Sequence, residues 1–230
     1  MKKKAVIIPA AGSGTRMGSD IPKPFIELAG KSILQRSIEC FLETDGLVQV
    51  LIATSEDYFE FCSDIFDNYS NNNIVFSVVK GGSERQDSIR NAINQLFEEV
   101  ELVAVHDAVR PFVKKKYIDE CFELASKFGG AVLSVPVKDT IKKVNKDHIV
   151  TETPDRSQLW QSQTPQVFRK EIISKAYDSA IKDNFLGTDD SSLVERIGKE
   201  VKVVEGGREN LKITFPIDLN IAELIINEGL

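Results

Sequence analysis

Short apolar runs that alternate with amphipathic stretches constrain this chain more than any single motif. Residues 48–53, 74–79, 102–105 and 131–135 are the right length for strands, and their near-continuous apolar character calls for cover on both faces of a sheet. The segments between them repeat apolar residues every three or four positions. The clearest helix is predicted over 84–98, where Ile89, Ala92, Ile93, Leu96 and Phe97 share a face and Ser83-x-x-Gln86 reads as a capping box. A second, over 114–126, buries Tyr117, Ile118, Cys121, Phe122 and Ala125 in the same way. This rhythm predicts βαβ units, hence an α/β fold with a mostly parallel central sheet flanked by helices. Further on, a helix is expected over 169–182, strands over 201–204 and 211–214, and a last helix beginning at Pro216. With 230 residues, 42% of them hydrophobic, and with no repeat or linker, 1–230 reads as one domain.

Residues 137–156 break the rhythm. They are rich in charge, poor in large apolar side chains, and carry a polar turn at Asn145-Lys146-Asp147, which predicts a protruding hairpin. An isolated two-stranded hairpin is marginal in water, so such an arm leans on something, most economically a second copy of the chain.

The first predicted strand opens into a glycine-rich loop, AAGSGTRMG at 10–18, followed by Lys23 between Pro22 and Pro24. Free backbone N–H groups in such a loop suit an anion, and Arg16 and Lys23 supply countercharge. Up to Pro24, five Lys and Arg residues face one Asp, in a chain of net charge −6. The spacing excludes a Walker loop, because no Gly-Lys-Ser/Thr follows. It also opposes a dinucleotide fingerprint, since Met17 stands where the third glycine belongs and two prolines interrupt the helix. A polyphosphate site is the simplest reading.

The acidic balance, with pI near 5.2, argues against a nucleic-acid binder or a membrane-surface protein. No apolar run approaches a membrane span, and the basic start leads into too few apolar residues for a signal peptide. Cys40, Cys62 and Cys121 are odd in number and far apart, which fits small core residues and a reducing cytoplasm.

Six segments fall where strands end: GGSERQDS (81–88), HDAVRP (106–111), KDT (138–140), TPDRSQLWQSQTPQVF (153–168), GTDDSS (187–192) and ENLKIT (209–214). With AAGSGTRMG and PKP, they resemble the motifs of the 2-C-methyl-D-erythritol 4-phosphate cytidylyltransferase family, the CTP-dependent enzymes of the non-mevalonate isoprenoid pathway, over nearly the whole chain. The resemblance implies a Rossmann-like nucleotidyltransferase domain, a homodimer formed through the 137–156 arm, and Mg²⁺ as cofactor. The reaction it implies is attack of the acceptor phosphate on the α-phosphorus of CTP with loss of pyrophosphate. Arg16 and Lys23 would stabilise the triphosphate in the transition state, and Arg156 and Lys212 would hold the acceptor phosphate. Cytidine contacts carry over to Ala10, Ala11, Gly12, Gly14, Gly82, Ser83 and Ser88, although Ser83 stands where many relatives have Asp and is equally placed to cap its helix. Asp107 is expected near both substrates and the Mg²⁺, with a simple ion pair to Arg110 as the alternative. Arg110, Thr140, Thr164 and Thr188 fall to the acceptor pocket, while Thr188 is equally suited to N-cap the helix that follows. His106 reads as a hydrogen-bonded structural residue, and Asp218 as a favourable first-turn charge. The alternatives are a ribitol-5-phosphate cytidylyltransferase, which keeps the chemistry and changes the acceptor, and a non-catalytic nucleotide-binding regulator on the same fold.

Overall fold

Strand β1 (Lys4–Pro9) sends Ala5 and Ile7 to one face and Val6 and Ile8 to the other, all four at 0% exposure. A strand buried on both faces must sit inside a sheet covered twice. The computed structural model describes residues 1–12, 21–69 and 73–229, so Gly14 and Arg16 lie outside the described residues. After β1 come β2 (Glu27–Leu28), β3 (Lys31–Ser32), α1 (Ile33–Glu39), β4 (Leu47–Thr54), α2 (Phe59–Asp67), β5 (Val75–Lys80), α3 (Arg85–Ile93) and β6 (Leu102–Val105). The second half holds α4 (Lys115–Phe128), β7 (Gly130–Pro136), β8 (Lys143–Val144), β9 (Val150–Glu152), β10 (Trp160–Arg169), α5 (Lys170–Lys182), α6 (Asp190–Arg196), β11 (Lys202–Glu205) and α7 (Pro216–Glu228).

Seven of these strands form the central sheet in the order β11-β7-β10-β6-β1-β4-β5. Only β10 runs antiparallel, pairing with both β6 and β7. On one face Val6 and Ile8 meet Leu34 and Ile38 of α1, Cys62 and Ile65 of α2, and Ile118 and Phe122 of α4. On the other, Ala5 and Ile7 meet Ile89 and Ile93 of α3, Ile173 and Tyr177 of α5, and Leu193 of α6. The α/β class with a mostly parallel sheet is therefore as the sequence predicts, and the four apolar runs are strands.

Three elements differ. Residues 160–169, where no strand is expected from the sequence, are the ten-residue strand β10. Residues 211–214, predicted as a strand, are extended chain tied to Val109 O by Ile213 N at 2.9 Å without joining a sheet. Helix α3 ends at Ile93, short of the predicted 98, because buried Gln49 takes over its exit: Nε2 donates to Gln95 O (2.9 Å) and Oε1 accepts from Phe97 N (3.0 Å). Its capping box also sits one residue later, with Asp87 Oδ2 accepting from Glu84 N at 3.1 Å.

The 137–156 hairpin forms as a separate two-stranded ladder, β8 with β9, and every residue over 138–153 is exposed. Asn145 builds its turn by accepting from Asp147 N and Ile149 N through Oδ1. Among the described residues no helix is long and apolar enough to cross a membrane.

Candidate active site

The parallel strands β1, β5 and β6 all end on one edge of the sheet, and antiparallel β10 delivers its first half to the same edge. Loops 10–12 and 81–84 and residues 106–110 therefore meet there. Close approach of the first two loops depends on Gly81, where a Cβ would lie 2.4 Å from Ala11 Cβ, and Gly82 packs as tightly on α3, where a Cβ would lie 2.2 Å from Asp87 Cβ. Between them opens a cleft of about 290 Å³ walled by Ala10, Ala11, Gly12, Gly82, Ser83 and Ser88. Lys23, Asp107 and Lys212 close its other side. The Ser88 hydroxyl is spent inside the protein, accepting from Gly82 N (3.0 Å) and donating to Glu84 O (3.2 Å), so it braces the Gly82 backbone. Ser83 Oγ donates to Asp87 Oδ2 at 2.7 Å. Lys23, only 6% exposed, donates to Thr214 O at 2.9 Å.

A second cavity of about 360 Å³ adjoins the first and shares Arg85, Asp107 and Lys212 with it. Its remaining wall includes Arg110, Thr164, Thr188 and Asp189. The shared wall is an ion cluster. Asp107 Oδ2 meets Lys212 Nζ at 2.9 Å and Arg110 Nε at 3.4 Å, while Oδ1 meets Arg85 Nη2 at 3.4 Å. Arg85 Nη2 also pairs with Asp190 Oδ2 at 2.9 Å, and Asp190 Oδ1 accepts from Tyr177 OH at 2.5 Å. Burial alone would raise the Asp107 pKa, but Arg85, Lys212 and Arg110 overcome it and hold the carboxyl far below the ordinary range. Burial likewise opposes the charge on Arg85, and Asp190 with Asp107 reverses that, leaving the guanidinium harder to deprotonate than usual. Burial next to Asp190 pushes the Tyr177 hydroxyl well up, so it stays a donor.

His106 is structural, as predicted. At 0% exposure its Nε2 lies 2.9 Å from Arg110 O and its Nδ1 3.1 Å from Thr164 Oγ1. Arg110 O can only accept, so the neutral imidazole carries its proton on Nε2, and Nδ1 accepts from the Thr164 hydroxyl, which itself accepts from Asp107 N at 3.0 Å. Burial pushes the His106 pKa down to about 4.

Within one chain the structure gathers Ala10, Ala11, Gly12, Lys23, Gly82, Ser83, Ser88, Asp107, Arg110, Thr164, Thr188 and Lys212 around these two cavities. Thr140 and Arg156 line neither, because they belong to the exposed hairpin and its base, where Arg156 Nη1 donates to Lys138 O. The N-cap of α6 is Asp189, not Thr188: its Oδ1 accepts from Ser192 N at 2.9 Å. Asp218 goes beyond a first-turn charge, since its Oδ2 accepts from Thr214 N and Phe215 N, both at 2.8 Å. The ion pair predicted as the alternative for Asp107 and Arg110 is present. As a Mg²⁺ ligand Asp107 does not fit: its two oxygens already face three cations, which would repel a divalent ion. Among the described residues no group of three or more His, Cys, Asp or Glu side chains could hold a metal.

Sequence reasoning gave no role to Arg85 or Asp190. Arg85 lay inside the quoted GGSERQDS and Asp190 inside GTDDSS; a cation and a carboxylate in two strand-end segments were the available signal.

Comparison with known proteins places the chain in a family. The family model described as 2-C-methyl-D-erythritol 4-phosphate cytidylyltransferase matches residues 4–228. The chain is 45% identical over 228 residues to the protein of that name from Caldanaerobacter subterraneus subsp. tengcongensis, covering 99% of this chain and 100% of the relative. It is 46% identical over 226 residues to the one from Clostridioides difficile, covering 97% and 93%. Among solved structures it is similar to 4-diphosphocytidyl-2C-methyl-D-erythritol synthase from Anaerococcus prevotii, with a TM-score of 0.87 and 29% identity over 98% of this chain and 96% of that one. The chain belongs to the 2-C-methyl-D-erythritol 4-phosphate cytidylyltransferase family.

Proposed function

We propose that this chain transfers the cytidylyl group of CTP to the phosphate of 2-C-methyl-D-erythritol 4-phosphate, giving 4-diphosphocytidyl-2-C-methyl-D-erythritol and pyrophosphate. The observation that carries this reading is the pair of adjoining cavities with a shared cationic wall. CTP occupies the cleft lined by backbone of residues 10–12 and 82–83, and the acceptor occupies the cavity beside Arg110, Thr164 and Thr188. The reacting phosphates then meet at Lys212.

The second pKa of a phosphate monoester is about 6, so the nucleophilic oxygen is ionised at neutral pH and needs no general base. The barrier lies in bringing two anions together, which suits a wall of cations and a neutral His106. In this reading Lys23 and Arg16 act on the triphosphate, and Lys212 holds the acceptor phosphate in line. Mg²⁺ enters with the nucleotide as part of the substrate, on phosphate oxygens, and not through Asp107.

Arg156 and Thr140 complete the acceptor cavity of a second copy, with the 137–156 arm as the dimer contact. Support comes from their absence from both cavities of their own chain and from exposed Val144, Ile149 and Val150 on the arm. A reducing cytoplasm is supported by three unpaired thiols, of which burial pushes Cys40 and Cys62 up to about 12.

Pyrophosphate release from CTP and Mg²⁺ tests the proposal, with 2-C-methyl-D-erythritol 4-phosphate and ribitol 5-phosphate as competing acceptors. Release with the first and not the second is the expected result. Faster release with ribitol 5-phosphate would reverse the acceptor, and no release with either would leave a nucleotide-binding regulator.

A further inference from the structure

Lys212 carries a mobile charge on a flexible stem, and its side chain is 45% exposed, yet it stands 2.9 Å from Asp107 Oδ2. What fixes the ammonium is therefore the orientation of one carboxylate. The Asp107 backbone is pinned by its N–H donating to Thr164 Oγ1, and the carboxylate is held by Arg110 on Oδ2 and by Arg85 on the other oxygen. Arg85 in turn has an immobile base. It pairs with Asp190, which is 0% exposed, opens α6, and is bound by Tyr177 of α5, itself 2% exposed.

We propose that Arg85 is a positioning residue for Lys212: anchored from behind by Asp190 and Tyr177, it occupies Asp107 Oδ1 and so presents Oδ2 to the Lys212 ammonium at the junction of the two cavities. Without Arg85 the Asp107 carboxylate loses its contact on Oδ1 and can rotate about its Cβ–Cγ bond, so Oδ2, which Arg110 Nε also meets at 3.4 Å, is no longer a fixed partner atom for Lys212. A misplacement of about 1 Å at a reacting centre costs on the order of 10²-fold in rate. Arg85 borders both cavities, but its Nη2 is shared by two carboxylates, which separates it from Lys212, whose ammonium lies at the cleft wall against Asp107 alone among its described ion pairs.

The inference rests on the assignment of Lys212 to the acceptor phosphate, and the test keeps the two apart. Arg85→Met alone would strand the buried Asp190 charge, so the working variant is Arg85→Met with Asp190→Asn, which removes both charges and keeps an acceptor for Tyr177. It is compared with Lys212→Ala and with the triple combination, reading kcat and KM for 2-C-methyl-D-erythritol 4-phosphate, the CTP dissociation constant by calorimetry, and Tm. The expected result is a loss of about 10- to 10²-fold in kcat/KM for the acceptor, with CTP affinity within about threefold. Adding that pair of substitutions to Lys212→Ala should cost less than about threefold more, because the two sites act through one group. Multiplicative losses in the triple variant would overturn the proposal, as would a loss confined to CTP affinity or a fall in Tm that accounts for the activity. If Lys212→Ala alone leaves acceptor kinetics unchanged, the Lys212 assignment fails first and the positioning role falls with it.

Discussion

Lys23 and His106 are both buried beside the cleft and do opposite jobs, one charged and one neutral. Lys23→Ala is expected to lower kcat by at least about 10² while CTP affinity changes far less, because the charge acts mainly on the transition state. Steady-state kinetics beside calorimetry checks it; a change in KM alone would remove Lys23 from that role. For His106 the sign follows from its depressed pKa of about 4. The unfolded imidazole titrates near 6.5, so on acidification the unfolded chain takes up the proton first. Stability from this residue is intact above about pH 6.5 and is lost as pH falls toward about 4, by about 2 kcal/mol between pH 7 and 5. Chemical denaturation at several pH values should show this slope, and His106→Gln should flatten it. Much of the residue-level site was legible, because phosphate chemistry demands cations and bare backbone, and Gly82, Lys23 and Lys212 advertise both. Arg85 was not legible: its part depends on Asp107 and Asp190, 22 and 105 residues away, which only the fold brings to it.

At the scale of elements, sequence reading succeeds where apolar burial dictates structure and fails where polar burial does. Strands β1, β4, β6 and β7 announce themselves as apolar runs. Strand β10 holds a central place in the sheet yet contains Ser162, Gln163, Thr164, Pro165 and Gln166, a composition that reads as loop. Its polar groups are satisfied by other chemistry: Gln166 Nε2 donates to Asp189 Oδ2 (2.8 Å), Ser162 Oγ to the same atom (3.0 Å), and Asn210 Nδ2 to Gln163 Oε1 (2.9 Å). Residues 211–214 mislead in the other direction, since alternating Leu211 and Ile213 mimic a strand but Ile213 instead packs with Leu28, Ile33 and Ala222. The 137–156 arm was legible as a hairpin because it lacks a core of its own. Its apolar residues Ile149 (62% exposed) and Val150 (53%) touch water in the single chain. Ile149→Ser with Val150→Ser should shift sedimentation toward monomer and leave far-UV dichroism unchanged; an unshifted boundary would take the dimer contact away from the arm.

For the whole molecule, the swapped arm makes a numerical prediction. Chains carrying Lys23→Ala are mixed with chains carrying Arg156→Ala. If the arm serves its partner, one site of each mixed dimer collects both defects and the other collects neither. Random pairing makes half the dimers mixed, so roughly a quarter of wild-type activity should return. If the arm acts on its own chain, every site keeps one defect and remixing restores nothing once subunit exchange is confirmed.

The contact between Lys23 and the Thr214 carbonyl spans 191 positions of sequence. Asp218, at the start of α7, holds the Thr214 and Phe215 amides and so sets that carbonyl. Lys212 lies in the same late stretch. A nascent chain whose α7 is still inside the ribosome can already pair β1, β4, β5 and β6, because their partners precede it. It has neither Lys212 nor the brace for Lys23. Chemistry therefore waits until residues 212–218 have been made, and a premature stop anywhere upstream of 212 leaves the wall without the Lys212 ammonium.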